Sequence, residues 1–275
     1  MEERAKELFF KAKKNVFNSN FGLNESHVKG EGLDFREIKE YEAEDLKRIN
    51  WKASAKSGHL KANVYNETKQ MNIIAVLMLS SGLKFGTFRQ KIDLAAEVFG
   101  LLGFAATASK NLFFPLIFSD DIEKFYEPMS ESGEIYEIIK DTLDAKLLGK
   151  KLDYHKMCDT INHVIKKRAM IFIISDFLDE PDLLEISFHN DIYAICLRDR
   201  FEENLSKLSD AQAIDTTNLD KFELNLDKAS IKRYKELLKA HDEKTKGHFL
   251  ENRVAHGKIY TDENALFRLI EIMRR

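Results

Sequence analysis

Two textures divide the chain. Up to about residue 70 the residues are mostly polar and charged, whereas from Met71 short continuous apolar runs alternate with longer stretches whose apolar positions recur every three or four residues. Ile73–Leu79 (IIAVLML), bounded by SSG, reads as a strand buried on both faces of a parallel sheet. Ile92, Ala95, Ala96, Phe99, Leu102, Gly103 and Ala106 then fall on one helical stripe, small enough to lie close to a sheet. Phe113–Phe118 is a strand in which Pro115 removes a ladder donor and favours an edge or a strand end. Helices follow over Ile135–Leu143 and Met157–Ile165, the second capped by Asp153. Met170–Ile174 is the next strand, Pro181 opens a short helix through Leu184, and Ile192–Leu197 is a further apolar run. A short run at Ala213–Ile214 precedes terminal helices around Ile231–Leu238 and Leu266–Met273.

Strands alternating with helices predict an α/β fold, a mostly parallel sheet with helices on both faces. The boundary falls near residue 70, giving segments 1–70 and 71–275 that pack together, with no Pro/Ser linker and no internal repeat. Ligands of such sheets sit beyond the carboxyl ends of the strands. Two loops therefore matter: Ser80-Ser81-Gly82 and Ser175-Asp176-Phe177.

Composition narrows the function. At 275 residues and 44% hydrophobic content the chain can bury a sizeable core, and a net charge of -3 argues against a general nucleic-acid binder. The apolar runs are shorter than the ~18 residues a membrane helix requires, and the amino terminus lacks a secretory pattern, so a cytoplasmic location is expected. Cys158 and Cys196 have no CxxC spacing and are expected to be free thiols.

The densest patterning lies in Gly30–Gly58, GEGLDFREIKEYEAEDLKRINWKASAKSG. It holds the single tryptophan, Trp51, seven acids from Glu31 to Asp45, and none from Lys47 to Lys61. Together with IISDFLD and the order of elements, this segment resembles the family called domain of unknown function 58, whose motif has the form GxGxEFxxxRxYxxGDDxRxIDWxxxAR. Gly30, Gly32, Asp34, Phe35, Tyr41, Asp45, Arg48, Ile49, Asn50, Trp51 and Lys56 fall on that pattern. The resemblance implies a von Willebrand factor A-like domain. It also implies a MoxR-type AAA+ ATPase as partner, because family members are commonly encoded with one and are thought to act as its adaptors.

In von Willebrand A domains of the metal-binding type, a DxSxS motif, a threonine and an aspartate hold Mg²⁺. Here Met78 and Gly82 replace two of those ligands, Lys151 falls near the threonine's place, and only Ser80 and Asp176 remain. A thioether is a poor ligand for a hard cation, so the resemblance implies a degenerate site without metal or other cofactor. The Lys151 ammonium is expected to neutralise Asp176. The partner surface is then expected in the charged segment, at Asp34, Arg36, Tyr41, Asp45, Arg48, Trp51 and Lys52. The plainer reading of that segment is an ordered wrap with its acidic half pairing its basic half and Trp51 buried. Lys47, Arg48, Lys52, Lys56 and Lys61 around Trp51 also fit phosphate contacts and base stacking, against which the upstream acids act.

Other candidate chemistry is thin. His155, Cys158 and Asp159 share helical spacing and could face one metal, though without a second ligand cluster. Ser80 sits at a strand-to-helix turn but lacks the GxSxG pattern and an assignable base. Nothing matches a Walker A or a three-glycine dinucleotide loop. The expectation is a non-enzymatic interaction module. Its alternative is a divalent-metal-dependent hydrolase, or a metal-dependent ligand-binding domain, using Ser80 and Asp176.

Overall fold

The computed structural model describes residues 2–19, 21–23, 26–30, 34–41, 46–205, 211–214, 221–224 and 227–274. Of these, 26–30, 34–36, 48, 64–69, 211–214 and 221–224 are described by their backbone. The chain divides into two compact units, residues 1–22 with 72–275, and residues 23–71.

Helix α1 (Glu2–Ser19) opens the larger unit. The smaller unit holds β1 (Ser26–Gly30), β2 (Asp34–Glu40), α2 (Trp51–Ser57) and β3 (Lys61–Lys69). The chain then returns through β4 (Asn72–Met78), α3 (Lys91–Ala108), β5 (Leu112–Phe118), β6 (Ile122–Phe125), α4 (Ile135–Asp144), α5 (Tyr154–Val164) and β7 (Ala169–Ser175). It closes with α6 (Leu184–Ser187), β8 (Asp191–Arg198), α7 (Arg200–Glu203), the hairpin β9 (Ala211–Ile214) and β10 (Lys221–Leu224), α8 (Lys228–Glu251), β11 (Ala255–Tyr260) and α9 (Ala265–Met273).

The main sheet runs β11-β8-β7-β4-β5-β6 and is parallel except for the edge strand β6. Strand β4 is central, with Leu77 opposite Ile174 of β7 and Met78 opposite Phe118 of β5. The alternating face of β4 carrying Ile74, Val76 and Met78 joins a core with Met157 and Ile161 of α5 and Phe249 of α8. Helix α3 lies on the opposite side, in contact with α1, α4 and α9 as well as the sheet. The expected α/β fold with a mostly parallel sheet flanked by helices is what the chain forms.

Helix α3 is apolar nearly all round, the signature of a helix enclosed by protein, and every residue from Lys91 to Ala106 is buried. Helix α1 supplies much of that enclosure. Its Ala5, Leu8, Ala12 and Val16 share one face and are buried, and Ala12 fits at Gly100, where a side chain would meet Ile139 at 2.8 Å. The same helix carries cations to the acids that α3 buries: Arg4 pairs Asp93, and Lys11 lies 3.0 Å from Glu97.

Several expectations change. The segment 1–70 is not one piece, because α1 is amphipathic and joins the α/β unit while 23–71 forms its own unit around the antiparallel sheet β1-β3-β2. Strand β5 is interior rather than an edge. Pro115 is accommodated because β6 pairs β5 only from Leu116 onward, leaving a gap between that ladder and the Phe113–Met129 bridge. The helix expected from Pro181 starts at Leu184. Strand β11 carries no continuous apolar run and was not expected.

Candidate functional site

From β4 the chain crosses through α3 to β5 on one side, and the later crossover through α5 reaches β7 on the other. The carboxyl ends of β4 and β7 therefore flank a topological switch point, where open α/β sheets place their ligands. Here the crevice is filled by the chain itself. Ser80 Oγ donates to Asp176 Oδ2 at 2.7 Å, joining the two strand ends. Lys91, the first residue of α3, places its Nζ 3.5 Å from the same Oδ2 and 2.7 Å from Glu202 Oε1 of α7. Both Lys91 and Asp176 are 0% exposed. A buried pair persists only where the geometry compensates the loss of hydration, and here one ammonium serves two carboxylates and a hydroxyl steadies one of them.

Gly82 makes room for this arrangement. A Cβ there would lie 2.2 Å from Asp176 Oδ2, so the carboxylate occupies space that any side chain at residue 82 would claim. Met78 does not face the crevice, because strand alternation turns it into the core beside Phe118 and Phe177. Ser81 Oγ donates to Leu147 O at 3.0 Å, and Ser175 Oγ lies 3.2 Å from the buried Tyr154 hydroxyl. Burial raises the Tyr154 phenol above its ordinary range.

A second buried carboxylate braces the rim. Asp199 at the end of β8 accepts from Thr87 N at 2.8 Å, Thr261 Oγ1 at 2.6 Å and Phe201 N at 2.9 Å. Its own amide donates to Glu202 Oε2 at 2.8 Å, completing a capping box over α7. Burial alone would raise the Asp199 pKa, but these donors outweigh it and hold the carboxyl below the usual aspartate range. The loop 80–90 is thus pinned to β7 by Ser80 and to β8 by Thr87.

The expected role of Lys151 passes to Lys91. Lys151 is exposed in the connection between α4 and α5, whereas the ammonium beside Asp176 comes from the start of α3. Helical spacing placed Ile92 on the buried face, but no sequence signal said that the lysine before it turns inward. A divalent ion does not fit this crevice. The oxygens gathered here are Ser80 Oγ and the carboxylates of Asp176 and Glu202, both of which face the Lys91 ammonium, and a hard cation wants several free oxygens in near-octahedral array. Asp176 Oδ1 is buried without a hydrogen-bond partner among the described residues.

His155, Cys158 and Asp159 do not converge. Cys158 lies in the core with its thiol pushed up to about 12 by burial, while His155 is exposed and 3.5 Å from Asp182. Among the described residues no cluster of three or more His, Cys, Asp or Glu side chains could hold a metal ion. Both cysteines are free.

In the smaller unit, Asn50 accepts from Ala53 N at 2.9 Å to cap α2, and its amide donates to Asn63 Oδ1 at 2.7 Å. Ile49 is buried and bridges Ala62 of β3, while Gly58 closes α2 with a φ of 72°. Trp51, the first residue of α2, is 68% exposed, which overturns the reading that buries it. Lys52 and Lys56 are exposed, and Tyr41 donates its amide to Leu60 O at 2.9 Å. Gly32 and Asp45 lie outside the described residues, as do the side chains of Asp34, Phe35, Arg36 and Arg48.

The family model described as "Protein of unknown function DUF58" matches residues 37–244, from β2 of the smaller unit through most of α8. The chain belongs to this family. No curated protein matches the DUF58 chain by sequence. Among solved structures it is similar to an aerotolerance-related membrane protein from Bacteroides fragilis NCTC 9343, at 10% identity and TM-score 0.46 over 74% of this chain and 100% of that one. It is also similar to the conserved hypothetical protein BatB from Bacteroides thetaiotaomicron, at 9% identity and TM-score 0.43 over 74% and 100%. No helix among the described residues of this DUF58 protein is long and apolar enough to cross a membrane.

Proposed function

We propose that this DUF58 protein is a non-enzymatic interaction module of the cytoplasm. In this reading the larger unit is a von Willebrand A-like domain whose metal-ion-dependent adhesion site is degenerate, and the partner is a MoxR-type AAA+ ATPase for which the chain acts as adaptor. The observation that carries the reading is Lys91: a buried ammonium stands where a ligand or ion would enter, between Asp176 and Glu202. Ser80, the one hydroxyl at the switch point with the look of a nucleophile, donates to a carboxylate already engaged by that ammonium. A nucleophile needs a base free to take its proton.

The rim around the closed crevice supports docking rather than chemistry. Phe85 and Phe88 in the loop after β4, Leu178 after β7 and Leu148 before α5 are exposed, Phe88 by 74%. Exposed apolar residues gathered around one end of a domain mark contact surfaces. The exposed Trp51, Lys52 and Lys56 of the family motif offer a second contact, since Trp is enriched among residues that anchor interfaces.

Capture of partners from a native lysate by the tagged full chain, with and without ATP, tests the reading. It expects an AAA+ ATPase to be retained by the wild type and lost with Trp51→Ala. Recovery of no AAA+ ATPase under either condition overturns the partnership. A melting series in Mg²⁺, Mn²⁺ and EDTA tests the closed crevice: no shift is expected, and a saturable rise would return the metal-dependent reading.

A further inference from the structure

Away from the crevice, α8 spans a cavity of about 670 Å³ against the carboxyl end of β8 and most of β11. That volume lies within the range of small-molecule sites, roughly 300–1,000 Å³. Its apolar wall is made by Phe177, Leu238 and Phe249, with Phe177 and Phe249 in edge contact at 5.2 Å between ring centres. Arg198 from β8 and Lys258 and Tyr260 from β11 supply the polar wall.

The charges of the lining are unequal. Six lysines and arginines face three acids, Glu203, Asp242 and Glu243. The acids are already engaged. Asp242 accepts from Arg198 Nη2 at 2.9 Å and from Lys258 at 2.7 Å, Glu203 accepts from Lys258, and Glu243 lies 3.9 Å from Lys239. Lys235 and Lys246, both exposed at the cavity, form no ion pair among the described residues. The deeper signal is Arg198. Its side chain is fully buried, yet Nε and Nη1 have no hydrogen-bond partner among the described residues. Buried donors are ordinarily satisfied, and a permanently charged guanidinium with two idle nitrogens just beneath a cavity wall is a standing exception.

We propose that this cavity binds a small organic anion with an apolar body, its carboxylate directed to Arg198 and its body against Phe177, Leu238 and Phe249. An anionic head would draw the guanidinium of Arg198 out to the cavity and give its idle nitrogens a partner, and it balances the unpaired charge of Lys235 and Lys246, while the body displaces water from the aromatic wall. Occupancy also reaches the crevice, because Phe177 directly follows Asp176 and is held in the left-handed region at φ 47°. His241 of α8 donates from Nε2 to the Phe177 carbonyl at 2.8 Å, so the helix over the cavity is tied to the same loop. This inference is independent of the AAA+ partnership.

Calorimetric titration of the full chain with 2-naphthoate, against the uncharged 2-naphthalenemethanol, tests it. The expected result is saturable one-to-one binding of naphthoate, at least about tenfold tighter than the alcohol. Leu238→Trp, which fills the apolar wall, should abolish binding. Lys246→Glu at the exposed mouth should weaken it about threefold without moving the melting temperature, and so tests the site even where the tryptophan variant folds poorly. Absence of naphthoate binding, equal affinity for the alcohol, or naphthoate binding kept by a natively folded Leu238→Trp and unchanged by Lys246→Glu overturns the proposal.

Discussion

The strand-end crevice and the family-motif unit treat their polar residues in opposite ways. In the crevice, Ser80, Lys91 and Asp176 are buried and, Asp176 Oδ1 apart, spend their hydrogen-bonding capacity on one another and on Glu202. In the motif, Asn50 and Ile49 are absorbed into capping and packing, while Trp51, Lys52 and Lys56 stay in solvent. An element that satisfies itself has little left to offer a ligand; one that leaves a tryptophan exposed keeps contact area in reserve. Substitutions in the first should therefore register as stability, and those in the second as partner binding.

The widest separation should come from Lys91→Met. It leaves Asp176 and Glu202 without their shared cation, and breaking a buried pair on one side costs about 3–5 kcal/mol. Urea unfolding should show the loss, and a change under 1 kcal/mol would mean the crevice is not held by this ammonium. Gly82→Ala should cost about 1–3 kcal/mol by the same assay, because the new methyl group meets Asp176 Oδ2.

Acid offers a third probe. Asp199 has a depressed carboxyl pKa in the folded state, so its contribution is present above the unfolded value of about 3.9 and is lost as pH falls through the folded one. Asp199→Asn should flatten the acid limb of stability against pH, and an unchanged limb would refute the assignment. Asn50→Ala, which removes the cap of α2, should cost about 1 kcal/mol, visible as faster amide exchange at Ala53. Smallest of all in stability is Trp51→Ala, expected within about 0.5 kcal/mol of wild type while losing the AAA+ ATPase in the capture assay.

Much of the sheet was legible because its strands are continuous apolar runs. Ile73–Leu79, Phe113–Phe118, Met170–Ile174 and Ile192–Leu197 all fall on β4, β5, β7 and β8, trimmed or extended at their ends. Strand β11 was not legible, since an edge strand reading AHGKIY is half exposed along most of its length and shows no apolar run. Helix α1 could have been found: Ala5, Leu8, Ala12 and Val16 keep helical spacing, but two alanines weaken the contrast against lysines and glutamates. Of the crevice, the strand-end loops that carry Ser80 and Asp176 were readable from position alone. The cation was not, because which lysine turns inward depends on the direction of α3 and on the space left by Gly82, neither of which is a local property of sequence.

That space has a consequence for substitution. A serine at residue 82 alone would collide with Asp176, and an aspartate at residue 78 alone would bury a charge in the core beside Phe118. Each such change is penalised until Lys91 and its neighbours move as well. The glycine thus works as a ratchet: with the carboxylate seated over it, single substitutions that add ligand oxygens to this loop are blocked, and the crevice can change only through several residues at once.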